Sequence, residues 1–439
     1  MVYAQQERPF RNALWFLKSA RQEEFSMPHL AMDGLLRGMI KRGALSVIYQ
    51  GGARRDYGDG AGPRVVARLS NRGARKIVAK ESLGVGEAYM DGDLVLEEGE
   101  IWDLLELAGK NLERRPNGRV SPAAQGLRAL RRRLWRGNDR AAARRNVAHH
   151  YDLSADLYRR FLDADLQYSC AYFAHPGMSL EEAQDAKRAH IAAKLRLAAG
   201  QSVLDMGCGW GGLALEIAGR HGASVTGVTL SAEQLAAATQ RAEAARLQER
   251  ARFSLIDWRD VAGTFDRIVS VGMFEHVGAP HYNAFFRRVG ALLADDGVAV
   301  IHSICRPDGA GSGDPFIRKY IFPGGYIPRL SQVTAAVERA GLMITDVEIL
   351  RLHYAQTLRC WRERFTAQRE DIARIYDERF CRMWEYYLAS CEMGFRFNGL
   401  FVFQVQIAKR LDALPITRDY MMDSEFARDT AHARRRKVA

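Results

Sequence analysis

The run V-L-D-M-G-C-G-W-G-G at residues 203–212 constrains the fold most, because it sets a tight glycine turn directly after a short apolar strand. Gly207, Gly209 and Gly211 let backbone approach a ligand closely, and the free N–H groups of the helix that follows point to the same place. Asp205 adds a carboxylate two residues before the first of these glycines. An acid, a small turn and a helix N-terminus together describe a site for a nucleoside-like cofactor.

The surrounding pattern agrees. Strands are predicted at 202–206, 223–229, 252–257, 266–271 and 297–304, with helices at about 180–199, 213–220, 232–245 and 282–293. Ser179 and Glu182 form a capping box ahead of the first of these helices. Strands alternating with helices of this length mean a largely parallel sheet covered on both faces. Segments 343–350 and 400–407 add late strands at one edge, and 363–388 reads as one long, partly amphipathic helical stretch. Residues from about 25 to 110 read as a smaller domain, with a helix around Leu35, Met39 and Ile40 and strands at 44–49 and 64–69. Between 81 and 92, glycines stand where a turn or close packing needs them.

A glycine turn of this kind also suits NAD or FAD. Here, however, the second strand ends in Thr229, Leu230 and Ser231, without the acid that holds a dinucleotide's ribose. Asp257-Trp258, after the third strand, offers an oxygen to an adenine amino group and an indole to cover the ring. These features favour S-adenosylmethionine (SAM), whose sulfonium needs a place for methyl transfer rather than a pyrophosphate cradle. The expected fold class is α/β: a Rossmann-like class I SAM-dependent methyltransferase domain with a smaller N-terminal α+β domain.

Composition narrows the partners. The chain has 439 residues, enough for a catalytic core and a second domain, and a formal net charge of +12. Residues 111–146 hold eleven arginines against Glu113 and Asp139. Leu127, Leu130, Leu134 and Trp135 are interspersed there at roughly helical spacing, as in an amphipathic surface helix; a solvated linker is the plainer reading. Such a block attracts a polyanion, either nucleic acid or an anionic membrane. The six cysteines include no CxxC pair, so neither a metal site nor a disulfide scaffold is expected. No stretch approaches the roughly 20 apolar residues that cross a bilayer.

The chain resembles the cyclopropane-fatty-acyl-phospholipid synthases and the related mycolic acid cyclopropane synthases. The resemblance rests on N-V-A-H-H-Y-D-L-S at 146–154, Y-S-C-A-Y-F at 168–173, the glycine turn, V-T-G-V-T-L-S at 225–231 and D-R-I-V-S-V-G-M-F-E-H-V-G at 266–278. F-I-R-K-Y-I-F-P-G-G-Y-I-P at 316–328, Y-A-Q-T-L at 354–358 and R-M-W-E-Y-Y-L at 382–388 extend it. S-L-G-V-G-E-A-Y-M-D-G at 82–92 is similar to the N-terminal domain of the phospholipid-acting members.

The resemblance implies methyl transfer from SAM to a cis double bond of a phospholipid acyl chain, then ring closure with a bound bicarbonate ion as base. The residues that hold this ion in the family match Cys170, Glu275, His302, Ile304 and Tyr354. Tyr151 and Ser169 read as contacts to the SAM carboxylate or the lid over it; Tyr168, Cys208 and Gln234 complete the expected cofactor set. Phe274, Tyr320, Phe322 and Tyr387 are candidates to line an acyl tunnel, although an aromatic core explains them nearly as well.

By the same resemblance the organisation is an N-terminal lipid-docking or dimerisation domain at 1–115, a basic linker at 116–145, the catalytic domain at 146–412 and a basic tail at 413–439. The expected partner is anionic membrane phospholipid with cis-unsaturated chains, met by a cytoplasmic protein on the inner face of the membrane. A homodimer is compatible with this, and nucleic acid is not expected. Rival readings are a relative that yields a methylene- or methyl-branched chain, an RNA or small-molecule methyltransferase, and a non-catalytic lipid-binding scaffold.

Overall fold

A computed structural model describes residues 27–112, 155–307 and 313–422. The chain divides into two compact units at Asn111. The arginine-rich window, Tyr151 and the basic residues 434–437 lie outside the described residues.

In the N-terminal unit, helix α1 (Met27–Met39) precedes strands β1 (Ala44–Tyr49), β2 (Arg54–Tyr57) and β3 (Arg64–Leu69). Helix α2 (Asn71–Met90), strand β4 (Leu94–Glu98) and helix α3 (Ile101–Leu112) follow. The sheet order is β2-β1-β3-β4, with β1 and β3 parallel and both outer pairs antiparallel. Alternate residues Leu45, Val47 and Tyr49 of β1, with Val65, Ala67 and Leu69 of β3, meet Met32, Leu36 and Ile77 of the helices in one core. The period of two in these strands is what turns those residues to the helices.

Helix α2 covers the segment where turn-forming glycines stand out in the sequence, and it is not straight. Lys76 Nζ reaches Asp91 Oδ2 at 2.6 Å, whereas fifteen residues of straight helix would span about 22 Å. The helix therefore folds back. Gly84 permits the close approach, because a Cβ there would stand 2.1 Å from Lys76 O.

The second unit begins with helices α4 (Ala155–Phe161) and α5 (Leu180–Leu195). The Ser179–Glu182 capping box is formed at the start of α5, which ends at Leu195, four residues short of the expected limit. Next come β5 (Ser202–Met206), α6 (Gly212–His221), β6 (Ser224–Thr229), α7 (Ala232–Ala244), β7 (Ala251–Leu255), β8 (Phe265–Val271), α8 (Tyr282–Leu292) and β9 (Leu293–Cys305). The chain continues through α9 (Pro315–Tyr320), α10 (Leu330–Arg339), β10 (Met343–Ile349), α11 (His353–Ala367), α12 (Arg369–Ile375), α13 (Glu378–Phe397) and β11 (Phe401–Ala408). The single helical stretch expected over 363–388 is three helices, broken at Gln368 and at Tyr376-Asp377, where Asp377 caps α13 by accepting from Phe380 N–H.

The seven strands run β10-β11-β9-β8-β5-β6-β7. Neighbours from β9 to β7 are parallel, and β11 lies antiparallel between β9 and β10. The late strands thus complete the sheet on one side, with β10 alone at its edge. Strand order reverses between β5 and β8, and a crevice opens at the carboxyl ends there. Apolar side chains cover both faces. One cluster joins Leu204, Ile268, Ile301 and Phe403 to Phe285 and Phe286 of α8, and another joins Val203, Val225, Val269 and Val300 to α5 and α6. Beyond β11 the chain stays on the sheet as far as Met421: Tyr420 OH accepts from Gln406 Nε2 at 2.8 Å, and Arg418 pairs with Asp346.

Helix α5 is fastened to the sheet edge by charge. Glu348 of β10 accepts from His190 at 2.6 Å and from Lys194, whose side chain is buried. Burial alone would raise the Glu348 carboxyl, but the bonds from His190 and Lys194 outweigh it and hold the group at about 2. The folded value lies below the unfolded one of about 4.3, so this contribution is fully present above that pH and is lost as the pH falls toward 2. Glu348→Gln strands the Lys194 ammonium. Urea unfolding is expected to show a loss of about 2–4 kcal/mol at pH 7, narrowing steadily as the pH drops below about 4.3.

Candidate active site

The carboxyl ends of β5, β6, β7 and β8 surround one cavity. Its floor is the glycine turn. Gly207 and Cys208 N–H groups both donate to Val228 O, at 2.9 and 3.1 Å, which ties the turn to the end of β6. Gly207 has φ +89°, and a Cβ there would meet the Met273 side chain at 2.7 Å, so no other residue fits without a shift. Asp205, Gly207, Cys208 and Gly209 line the cavity; Gly211 instead caps α6.

Thr229, Leu230 and Gln234 line the next wall. Thr229 Oγ1 donates to Gln234 Oε1 at 2.9 Å. Ser231 is not on the wall: its hydroxyl accepts from Gln234 N–H as the N-cap of α7, so it holds the wall in place. Asp257 and Trp258 close the far side. Asp257 is buried and already accepts from Arg259, whose guanidinium lies 4.5 Å from the centre of the Trp258 ring. Trp258 packs edge-on against Phe285, which fixes its plane. Tyr168 and Ser169 arrive from the loop ahead of α5. The Tyr168 hydroxyl is engaged with Tyr387 OH at 2.6 Å.

Several lining residues escape sequence reasoning. Arg259, Met273 and His276 line the cavity, and so does Lys187. The signal for Lys187 lies in α5, where Gln184 and Lys187, three apart, fall among Leu180, Ala183 and Ile191 on a buried face. Gln184 Nε2 donates to Ser169 O at 3.0 Å, and Lys187 Nζ to Ser169 Oγ at 2.9 Å. Two polar residues on an apolar stripe mark a buried polar task. Burial pushes the His276 imidazole down to about 4, so it is neutral at pH 7.

None of the five residues matched to the base pocket lines this cavity; Cys170 follows Ser169 and Glu275 precedes His276, both of which do. Glu275 is in the short helical turn after β8, and its Oε1 accepts from Ile304 N–H at 2.6 Å. Its Oε2 is buried and receives no hydrogen bond among the described residues. Burial raises the carboxyl, with the Ile304 bond pulling the other way. His302 shares a face of β9 with Ile304, two residues on. It is buried, and its Nδ1 faces Gln404 Nε2 of β11 at 3.1 Å, which leaves the proton on Nε2 when Nδ1 accepts. Burial holds this imidazole well below its usual range, in the neutral form.

Cys170 is buried, and burial drives its thiol well above the usual range. It is a protonated donor, bonded to Ala171 O at 3.3 Å, and not a nucleophile. Ile304 and Tyr354 pack against the same apolar cluster as Cys170. So do Tyr320 and Phe322, while Tyr387 belongs to it. Phe274 is elsewhere, fully buried against Tyr282 and Phe286 in the core under α8, and is separate from those three.

The strand order and the position of the cavity define a class I SAM-dependent methyltransferase fold. The cyclopropane synthase MmaA2 of Mycobacterium tuberculosis has a similar structure, with TM-score 0.58 and 34% identity over 61% of this chain and 98% of its own. Coclaurine N-methyltransferase, at 21% identity and TM-score 0.61, shares the fold, with 74% of this chain and 99% of its own covered. Residues 138–405 match the family described as mycolic acid cyclopropane synthetase. The chain is 38% identical over 338 residues to the cyclopropane-fatty-acyl-phospholipid synthase of Escherichia coli, covering 77% of this chain and 86% of that one. It is 40% identical over 349 residues, with the same coverage, to a probable fatty acid methyltransferase of Pseudomonas putida. The chain belongs to the mycolic acid cyclopropane synthetase family.

Burial pushes the Asp205 carboxyl up to about 7, against the pull of Lys187. A cationic ligand group favours the ionised form, so affinity for S-adenosylhomocysteine should fall as the pH is lowered through about 7. Titration calorimetry is expected to show that fall in the wild type. Asp205→Asn should bind roughly tenfold more weakly just above pH 7 and with little dependence on pH between about 5.5 and 7.

Proposed function

We propose that this enzyme transfers the methyl group of SAM to the cis double bond of an acyl chain in a membrane phospholipid and closes a cyclopropane ring. The observation that carries the reading is the Glu275 carboxylate. It is anchored to Ile304 by one oxygen and leaves the other buried and unbonded, beside the cofactor cavity and against the aromatic cluster that holds Cys170 and Tyr354. SAM, when bound, supplies an electrophilic methyl carbon on a sulfonium.

The chain's own residues then have three tasks. The alkene offers only π electrons, so Tyr168, Phe322 and Tyr387 serve to hold the acyl chain and keep water from trapping the cation. The π pair forms a bond to the methyl carbon as the carbon–sulfur bond breaks, and one alkene carbon is left cationic. Loss of a proton from the new methyl group lets that C–H pair close the ring. Second, a base must stand near that proton. The unbonded oxygen of Glu275, the His302 Nε2–H and the Tyr354 hydroxyl are a donor and acceptor set that suits bicarbonate, with Ile304 fixing Glu275 and Cys170, whose S–H is given to Ala171 O, lending its apolar surface. Bicarbonate, when bound, supplies the basic oxygen. Third, the arginine-rich window at 111–146 matches an anionic lipid surface.

A second reading has a specific support: a probable fatty acid methyltransferase of Pseudomonas putida and a tuberculostearic acid methyltransferase of Mycobacterium tuberculosis, at 40% and 38% identity, are as similar to this chain as the Escherichia coli synthase at 38%. The same cation, losing a proton from a neighbouring carbon, gives a branched chain instead of a ring.

Purified protein incubated with SAM and liposomes of cis-unsaturated phospholipid should yield fatty-acid esters heavier by one CH2. Coelution with a cyclopropane standard supports ring closure, and a branched product supports the second reading. Glu275→Gln is expected to lower product formation by roughly 100-fold or more while leaving S-adenosylhomocysteine affinity within about twofold.

A further inference from the structure

Lys187 and Asp205 are charged groups buried in one cavity, and they do not pair. Each is almost fully buried, with relative exposures of 1% and 2%. Lys187 Nζ donates to two neutral acceptors, Gln167 Oε1 at 2.5 Å and Ser169 Oγ at 2.9 Å. Among the described residues no acceptor takes its third N–H. Asp205 Oδ2 likewise receives no hydrogen bond. All four side chains line the cavity.

An unpaired buried ion costs several kcal/mol even after relaxation, so an ammonium and an ionisable carboxyl that face one space without a mutual bond need a reason. A direct ion pair would satisfy both, yet the two stay apart. A ligand carrying both charges, set between them, satisfies both at once. The glycine turn assigns this end of the cavity to the part of the cofactor near Asp205, while Trp258 and Asp257 hold the opposite, adenine side. The group that fits is an amino acid zwitterion.

We propose that Lys187 and Asp205 read the two charges at the amino acid end of the cofactor, Lys187 donating to its α-carboxylate and Asp205 accepting from its α-ammonium. The inference rests on the SAM reading above and adds Lys187, which no motif marks, as a binding and specificity residue. Ser169 then acts in part through Lys187, since its hydroxyl is already committed to that ammonium. Burial lowers the Lys187 ammonium to about 8, which agrees with a cation lacking its full complement of counter-charge.

The test compares two probes by titration calorimetry: S-adenosylhomocysteine, and 5′-methylthioadenosine, which keeps the adenosine and sulfur but lacks the amino acid. Lys187→Met is expected to weaken S-adenosylhomocysteine at least tenfold and to leave methylthioadenosine within about twofold. Lys187→Arg should recover part of the loss. Equal weakening of both probes would overturn the proposal, because Lys187 would then only hold the 167–169 loop; unchanged S-adenosylhomocysteine affinity would overturn it too. The wild type supplies a check free of any folding defect. It should bind S-adenosylhomocysteine at least tenfold more tightly than its decarboxylated analogue, and equal affinities would sink the carboxylate contact. A wild type that binds neither adenosine probe would refute the cofactor reading itself.

Discussion

Everything in the catalytic unit follows from the reversal of strand order between β5 and β8. Chain leaves β5 toward β6 on one side, while β8 and β9 build outward on the other. The two connections leave in opposite directions, so a crevice opens between them at the carboxyl end of the sheet. The glycine turn exists because that crevice is narrow. A Cβ on Gly207 would stand 2.7 Å from the side chain of Met273, which itself comes from the loop after β8. The two sides of the reversal thus meet at a glycine.

Around the crevice the protein keeps charges that cost it stability. Asp205 and Glu275 each bury an oxygen without a hydrogen bond, and Lys187 spends its ammonium on neutral partners. Arg188, beside Lys187 in sequence, shows the ordinary alternative: each of its three nitrogens donates to a carboxylate, of Glu216, Asp165 or Asp185. The contrast separates charges that hold the fold from charges held ready for a ligand. The fold tolerates the second kind because two apolar clusters on either side of the sheet supply the bulk of its stability.

Much of this architecture is legible in the sequence, for definite reasons. Strands β5, β6 and β8 are short and largely apolar, and α5 and α7 carry side-chain caps at Ser179 and Ser231, so period and punctuation agree there. Strand β2, with the sequence R-R-D-Y, has no apolar period and is visible only through its pairing with β1. The breaks at Gln368 and Tyr376 carry no proline or glycine, so the pattern runs through them unmarked. In the site, the residues on the turn and at strand ends announce themselves by position. Lys187 does not, because its significance lies in what faces it across the cavity. Ser231 shows the opposite error: it stands in a motif that marks the cofactor, yet its hydroxyl is used on the helix beneath.

The pairing of His302 with Gln404 ties two distant parts of the chain together. The residues that line the cofactor cavity all fall within 166–276. Gln404 lies 102 residues beyond His302, on the strand that completes the sheet. Until β11 inserts between β9 and β10, His302 has no partner on that side to select its tautomer. The cofactor wall and the strand that orients His302 are therefore far apart in the chain, and the surroundings of His302 are complete only when β11 lies in the sheet.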